Sequence, residues 1–444
     1  MLSHRFDLGN MVQAVWSTAH GGLLMTTDGV SGEQITRLSV HVDPILALLV
    51  PAWWLYPGPE ALIVAQVVAL ASGLYPVGRL ALKYTRSSMA VVLLGLWYLA
   101  IPWIVWNGLN DFHATTLALP SLLFAIWFLD EHKLGRFAVA GVLALSSGEL
   151  IGLTVAALGV WYAFQRRRVR AGIVIALGAV TWSATCLLLV IPTFNDGNSS
   201  RYYGRFETVG GSPSGVLEML LTEPAVVIGA VSQSSDVLYL ALVALPVTLL
   251  AAGSIGLAAV ALPQLAINCL SDFWSTTQPM FQYTMPAMAP LIAATIMGVA
   301  RFPRRYRAYA SAIPFVSALL VLVTFPPVPG AQDFVFGSRE TRERVEAIRS
   351  ATLPELPPFT SGAVGYAGYD VIRYSEHLPN APANDRQLPD LAFAFYDHMI
   401  VFDHANKTNV VVARARLDRF GTDLKAAYAD AQRRIDQIVA QLEA

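Results

Sequence analysis

The chain of 444 residues is 55% hydrophobic and only 14% charged, and its formal net charge is −1. Soluble domains carry about 25% charged residues, so this composition excludes an ordinary soluble enzyme and indicates an α-helical polytopic membrane protein. A nearly neutral chain offers no basic surface of the kind that binds nucleic acid, and no nucleic-acid partner is predicted.

Residues 1–59 are predicted to form a loop at one face of the membrane. Residues 8–19 place their apolar side chains on one helical face, which is typical of a helix lying in the membrane interface. Segment 44–56, PILALLVPAWWLY, is apolar but too short to span, and it is interrupted by proline. Its Trp and Tyr residues favour the level of the lipid headgroups.

Spanning helices are predicted wherever about 17 to 25 apolar residues follow one another. Eight such runs lie at 60–82, 89–106, 115–129, 172–193, 237–252, 254–270, 281–300 and 306–325. Between them, two short arms at 136–148 and 150–165 are predicted to form a hairpin that turns at residues 146–149. The sum is about ten crossings in a transmembrane helical domain of residues 60–325.

Clusters of Lys and Arg set the predicted orientation, because cytoplasmic loops are enriched in these residues. They lie at residues 83–86, 133–136, 166–170 and 301–307. A single crossing at 137–164 would place two clusters on opposite faces, whereas the hairpin brings all four to the cytoplasm. The chain is therefore expected to be a multi-pass protein of the cell membrane, with its start and its tail outside.

The tail, residues 326–444, is predicted to be a small extracytoplasmic α/β domain. It begins with proline-rich linkers, and its apolar patterns predict the following elements. Helices are expected at 338–350 and 421–443, and strands at 362–367, 391–403 and 408–414. The two cysteines, Cys186 and Cys269, lie in apolar runs and are predicted to be buried hydrophobic residues without a disulfide or a metal.

Polar side chains that could carry chemistry gather in the loops of the predicted outer face. The first loop contains Asp7, Gln13, His20, Arg37, His41 and Asp43, and the loop between two spans contains Asn107, Asn110, Asp111 and His113. Glu149 stands among apolar residues, where a carboxylate is costly unless it is paired or solvated. Structural roles remain open for each group, since Asp7 could cap a helix and Glu149 could be an exposed hairpin tip.

Four segments resemble a known family. FDLGNMVQAVW, HVDPILALLVPAWWLYP, LIVAQVVALASGLYPVGRLA and NDFH are similar to the pattern of the DUF2079 family of predicted membrane proteins. That family shows FDLG-x-x-x-Q-x-x-W, then H-x-x-P, an apolar helix with an early Gln, and an F-H pair. The resemblance covers about residues 4–330. One departure is Gly148-Glu149-Leu150, where the family often has a Lys-Glu-Asp-like triplet.

Such proteins look like members of the GT-C superfamily of integral membrane glycosyltransferases, whose donors are polyprenyl-phosphate sugars. The resemblance implies a GT-C-like fold and places Asp7 at the catalytic acid, with Asp111 and His113 in the second outer loop as further site residues. It also implies a helix before FDLG, so the chain is expected to begin just after a missing first helix.

Sugar transfer from a lipid phosphate needs a base for the acceptor hydroxyl and positive groups for the departing phosphate. Asp7 is the expected base, and Glu149 is expected to reach the same site. Substrate and phosphate contacts are expected from Gln13, Arg37, His41, His113, Arg201 and Arg205. Asp7 and Asp111 could hold Mg²⁺ or Mn²⁺, because hard oxygen ligands suit these ions. The expected partners are the polyprenyl-phosphate sugar and membrane lipids.

Two other functions are weighed against the enzyme. A transporter or flippase would show inverted repeats and ionisable groups at mid-membrane depth. The sequence shows no clear repeat, and its polar groups gather at one face. In a non-catalytic scaffold the tail would dock a partner protein, and so many crossings exceed what an anchor needs.

Overall fold

The computed structural model describes residues 5–28, 33–109, 111–324, 362–367, 391–396, 398–403, 408–415 and 423–443. The chain divides into two compact units, Met1–Pro329 and Gly330–Ala444. Their boundary lies close to residue 325, where the sequence predicted the membrane domain to end. Residues 1–59 belong to the first unit.

The first unit is mostly helical. Its first helices are α1 (Arg5–Ala19), α2 (Val50–Leu55), α3 (Pro59–Ser72), α4 (Leu74–Thr85), α5 (Ser88–Ala100), α6 (Pro102–Leu109), α7 (Ala118–Asp130), α8 (Leu134–Leu145) and α9 (Ile151–Gln165). They are followed by α10 (Val169–Thr185), α11 (Ile191–Phe194), α12 (Pro213–Thr222), α13 (Pro224–Ala230), α14 (Ser234–Val247), α15 (Ile255–Ala258), α16 (Leu262–Leu270), α17 (Met285–Val299) and α18 (Arg307–Thr324). A short antiparallel pair, β1 (Met25–Thr27) and β2 (Gln34–Thr36), follows α1.

The centre of the first unit is α17, in which 14 of the 15 residues are buried. A helix that is apolar on all sides is expected inside a bundle. Buried aromatic residues of α5 and α6 belong to the same core. One of them also replaces a backbone hydrogen bond that α14 lacks. Pro246 has no N–H for the carbonyl of Leu242, and the indole of Trp103 donates to that carbonyl at 3.2 Å.

Four continuous helical stretches are long and apolar enough to cross a membrane: Pro59–Thr85, Val169–Phe194, Leu249–Leu270 and Arg304–Thr324. Two bent pairs, Ser88–Ala100 with Pro102–Leu109 and Pro224–Ala230 with Ser235–Val247, raise the number to six. The part of the chain that the structure describes therefore offers four to six candidate spans, fewer than the ten predicted.

The difference in span number comes from helices that are apolar but short. The helices α7, α8, α9 and α17 have 13, 12, 15 and 15 residues, and at about 1.5 Å per residue they are about 18–23 Å long. The hydrocarbon core is about 30 Å thick. The predicted break at residues 146–149 is nevertheless confirmed, because α8 ends at Leu145 and α9 begins at Ile151.

The apolar face of α1 packs on protein. Leu8, Met11 and Val15 lie in a core with Leu46 and Trp53, which belong to the apolar segment Pro44–Leu55. The sequence predicted that both segments lie in the interface, and the structure shows that they pack against each other. Large apolar side chains at the end of α2 remain exposed, including Leu55.

Basic residues meet at one end of the first unit, which we call the basic end. The carboxylate of Asp130, fully buried at the last residue of α7, forms ion pairs with Lys83 and Arg166. Arg307 donates to the carbonyls of Tyr84 and Thr85. Three of the four predicted basic loops are joined by these contacts, and the fourth follows Asp130 directly in the chain.

The second unit contains two antiparallel strand pairs and a helix among its described residues. β3 (Gly362–Ala367) pairs with β4 (Leu391–Tyr396), and β5 (His398–Asp403) pairs with β6 (Thr408–Ala413). The helix α19 (Leu424–Glu443) buries Ala427 and Ala431, one turn apart. These elements confirm the predicted strands at 362–367 and 408–414 and the final helix, but the single strand predicted at 391–403 is two strands that pair with different partners. The predicted helix at 338–350 lies outside the described residues. In the first unit, Cys186 and Cys269 are free and buried, as predicted.

Candidate active site

A cavity of about 150 Å³, which we call the polar cavity because Arg37, His41, His113, Glu149 and Arg205 line it, lies at the end of the first unit opposite the basic end. Its position follows from α7 and α9, since both helices begin beside the cavity and end beside Asp130 and Arg166. At about 1.5 Å per residue these helices hold the two ends about 20 Å apart. The cavity walls come from α1 and from residues 37–43, 113–115, 147–151, 202–206, 264–276 and 282–283.

Glu149 is paired with His41 in the cavity wall. The Nδ1 atom of His41 lies 3.0 Å from Oε1 of Glu149, and the backbone N–H of Val42 donates to Oε2 at 3.1 Å. Burial raises the pKa of Glu149, but the charge and hydrogen bond of His41 and nearby backbone N–H groups outweigh it and lower this pKa to about 2. Glu149 is therefore a carboxylate at neutral pH.

The turn that carries Glu149 is fixed by close packing between α9 and α10. The hydroxyl of Ser183 donates to the backbone carbonyl of Glu149 at 2.6 Å. A Cβ atom at Gly152 would lie only 2.3 Å from the Oγ atom of Ser183. The same tight contact continues along the two helices, where a Cβ atom at Gly172 would lie 2.5 Å from the carbonyl oxygen of Gly159. Glycine at these positions allows α10 to hold the turn.

The His41 ring also stacks on an aromatic residue of the loop after α11. The rings of His41 and Tyr202 are 4.5 Å apart and nearly parallel, with 19° between their planes. The guanidinium of Arg205 lies 4.1 Å from the Tyr202 ring centre and 4.2 Å from that of Phe273. It also donates to the hydroxyl of Tyr283 at 3.3 Å. These contacts hold Arg205 beside the cavity.

His113 forms a second pair of an imidazole with a carboxylate. Its Nε2 atom lies 3.4 Å from Oδ2 of Asp7, and its Nδ1 atom lies 3.2 Å from the backbone carbonyl oxygen of Asp111. Both neighbours are oxygen acceptors, so the ring satisfies both only when each nitrogen carries a proton. A protonated ring at this position would place a positive charge at the cavity wall.

The loop that carries His113 is organised by Gln66, which is completely buried in α3. Its amide nitrogen donates to the carbonyls of Asn107 and Asp111 at 2.7 and 3.3 Å. Its amide oxygen accepts the backbone N–H of His113 at 3.0 Å. Sequence reasoning gave Gln66 no role, although a lone amide in an apolar helix is a signal that could have indicated one.

A buried polar network reaches the cavity from α16. The amide nitrogen of Asn268 donates to the backbone carbonyl of Tyr283 at 3.1 Å and to the hydroxyl of Tyr239. Since a carbonyl can only accept, the Asn268 oxygen is left to accept from the amide nitrogen of Gln264 at 2.9 Å. The carbonyl oxygen of Gln264, a cavity-lining residue, is then an acceptor available to a ligand.

Over residues 1–340 the chain matches the family described as predicted membrane protein (DUF2079). The chain belongs to this family. No solved structure matches the chain significantly. Membership agrees with the candidate spans of the first unit and with the resemblance stated from the sequence.

Short stretches of this DUF2079 protein are also similar to curated proteins of another kind. Anthranilate synthase component 1 of Acetivibrio thermocellus is 40% identical over 91 residues, which are 20% of this chain and 18% of that protein. The Arthrobacter globiformis protein of the same name is 35% identical over 102 residues, 23% of this chain and 19% of its own length. The chain thus spans less than a fifth of the length of these relatives.

Five of the residues predicted for the site line the polar cavity: Arg37, His41, His113, Glu149 and Arg205. Arg37 is neutralised there, because its Nε atom lies 2.7 Å from Oδ2 of the buried Asp43. Asp7 is more than half exposed and does not line the cavity, but it pairs with His113, which does. Asp111, in the loop that carries His113, is buried.

Of the two further predicted residues, Gln13 lies elsewhere, and the side chain of Arg201 is outside the described part of the structure. The side-chain amide of Gln13 is engaged with β1 and β2, where its nitrogen donates to Thr27 and Gln34 and its oxygen accepts the N–H of Thr27. Arg201 begins a 3₁₀ segment, Arg201–Val209, that also carries Arg205. Within the described ranges, no group of three or more His, Cys, Asp or Glu side chains is arranged to hold a metal ion.

Proposed function

We propose that this DUF2079 protein is an integral membrane glycosyltransferase of the GT-C type. It would transfer a sugar from a polyprenyl-phosphate donor to an acceptor at the outer face of the cell membrane. The observation that carries the proposal is the meeting of two pairs, His41 with Glu149 and His113 with Asp7, around one polar cavity. Since basic loops favour the cytoplasm, a cavity opposite the basic end would open outside.

In this proposal His41 is the general base. In its neutral form His41 would donate its Nδ1 proton to Glu149, which can only accept, and would keep Nε2 as an acceptor. This atom would take the proton of the acceptor hydroxyl as the sugar is transferred. Glu149 positions the ring and stabilises the cation that forms. Asp7, the base expected from the sequence, is exposed and stands at the rim.

Positive groups for the departing phosphate are also present at the cavity. His113 lies between two oxygen acceptors, and Arg205 lies between two aromatic rings. Both side chains line the cavity and could bind phosphate oxygens as the bond to the sugar breaks. The proposed steps do not use the Mg²⁺ or Mn²⁺ expected at Asp7 and Asp111.

Two observations favour this proposal over its alternatives. The paired groups of the cavity lie at helix ends, whereas a transport pathway would need ionisable groups at mid-membrane depth. A scaffold would not need a buried, ionised carboxylate that orients an imidazole toward a cavity. The stretches shared with anthranilate synthase component 1 are too short to transfer that activity to this chain.

The proposal is tested with the full chain in lipid nanodiscs. A panel of polyprenyl-phosphate sugars is supplied, and the release of polyprenyl phosphate and the product are measured by mass spectrometry. We expect turnover by the wild type and by His20→Gln, an exposed histidine outside the cavity lining, and loss of turnover in His41→Gln/His113→Gln. Solute uptake by proteoliposomes, without turnover of any donor, would replace the enzyme by a transporter.

A further inference from the structure

A second cavity lies in the first unit, between α3, α7, α8 and the apolar segment Pro44–Leu55. It is an open groove of about 510 Å³. Its walls are apolar, and the side chains that matter here are Ile45, Ala69, Phe124, Phe128 and Val139. The polar residues of the lining are two serines, Ser72 and Ser121, and one cation, Arg136.

The groove runs from the cavity end of the unit toward the basic end. On α7 it extends from Leu117 to Phe128, which is about 16 Å at 1.5 Å per residue. This length is close to half of the hydrocarbon core of a bilayer, which is about 30 Å thick. Along α8 the lining runs from Leu143 to Arg136, so the cation lies at the basic end of the groove.

Arg136 is exposed and forms no ion pair with any residue that the structure describes. The acidic residues before it in the chain are already engaged. Asp130 is bound by Lys83 and Arg166, and Glu131 accepts from Lys133 and from the indole of Trp127. The guanidinium of Arg136 is therefore available to an anion at the end of an apolar groove.

We propose that this groove binds an anionic phospholipid of the leaflet at the basic end. One acyl chain would lie between Phe124 and Val139, and the phosphate would be bound by Arg136. A polyprenyl-phosphate donor would need its phosphate in the polar cavity, at the other end of the unit, and this argues for a bulk phospholipid. The site does not depend on the proposed sugar transfer.

The test uses the delipidated full chain in detergent and native mass spectrometry. Phosphatidylglycerol and phosphatidylcholine with identical acyl chains are titrated separately. One basic side chain near a membrane surface favours an anionic lipid by about 1 kcal/mol, or about fivefold, so we expect phosphatidylglycerol to bind about fivefold more tightly. In Arg136→Gln this preference should disappear, while the control Arg170→Gln, an exposed arginine outside the groove, should keep it.

A second variant tests the apolar part of the site. Ala69→Phe fills the groove from α3, where Ala69 is only partly buried, and should weaken both lipids by the same factor. Equal affinity of the wild type for the two lipids would overturn the proposal. So would an unchanged preference in Arg136→Gln, or binding of polyprenyl phosphate that Ala69→Phe abolishes and Arg136→Gln leaves intact.

Discussion

His41 and Glu149 are 108 residues apart in the chain, and their side chains form one hydrogen-bonded pair at 3.0 Å. The loop before Pro44 supplies the imidazole, and the turn between α8 and α9 supplies the carboxylate. His41 lines the cavity, and because Nδ1 is engaged by Glu149, Nε2 is the ring nitrogen left for a ligand. The hydrogen bond joins the first loop of the chain to the hairpin turn, and the proposed proton transfer depends on both.

Replacement of Glu149 by Gln should stop His41 from acting as a base although His41 itself is still present. The Gln oxygen can accept the N–H of Val42, and its amide nitrogen would then donate to Nδ1 of His41. The neutral ring would carry its proton on Nε2, the atom that must accept one. We expect the rate of sugar transfer to fall ~10²–10⁴-fold, measured as release of polyprenyl phosphate. Glu207→Gln, at an exposed acid of segment Arg201–Val209, should retain the wild-type rate.

The lowered pKa of Glu149 predicts a stability that depends on pH. The folded chain keeps this carboxylate ionised down to about pH 2, whereas its ordinary pKa is 4.5. While His41 is protonated, the resulting stabilisation is present above pH 4.5, and it is lost as the pH falls toward 2. It is on the order of 3 kcal/mol. The Tm difference between wild type and Glu149→Gln should shrink between pH 7 and pH 3, and a constant difference would contradict the assignment.

Gln66 should matter for stability although it does not line the cavity. Gln66→Met fills the same space but leaves two carbonyls and the N–H of His113 without their partner. Each buried group left unsatisfied costs about 1–3 kcal/mol, so Tm should fall by several degrees in a thermal unfolding assay. Val68→Met, at an exposed position of the same helix, is the control and should unfold like wild type.

The sequence predicted the polar residues of the site more completely than their contacts. Arg37, His41, His113, Glu149 and Arg205 all line the cavity, because the loops at this end of the helices bring their polar side chains together. The pairing of His41 with Glu149 could not be predicted, since it depends on how far the hairpin turn reaches.

The number of spans was predicted less well than the helices. An apolar run does not reveal whether its helix faces lipid or lies in the core. In α17, 14 of 15 residues are buried, although the sequence of this helix resembles a span. The tail strands were predictable because an alternating pattern is a local property of the sequence. Their antiparallel pairing was not predicted.

Gln264 is expected to contribute to substrate recognition if the cavity binds a sugar. Its carbonyl oxygen is an acceptor at the cavity, because Asn268 holds the amide nitrogen. Gln264→Leu should raise KM on the order of tenfold with a smaller change in kcat, as expected for loss of one hydrogen bond made in the ground state. Ile267→Leu, which also lines the cavity, is the control. An unchanged KM would show that the ligand does not contact this oxygen.

A comparison of Asp7 with His41 separates the two candidates for the base. Asp7 is more than half exposed and lies 3.4 Å from His113, so Asp7→Asn should weaken phosphate binding modestly and leave the proton transfer intact. His41→Gln keeps a side chain that can donate to Glu149 but cannot take up a proton, and it should lower kcat ~10²–10⁴-fold. Both variants are assayed with one donor at saturating concentration, beside His20→Gln. The reverse order, with Asp7→Asn inactive and His41→Gln active, would return the role of base to Asp7 and reduce His41 to a binding residue.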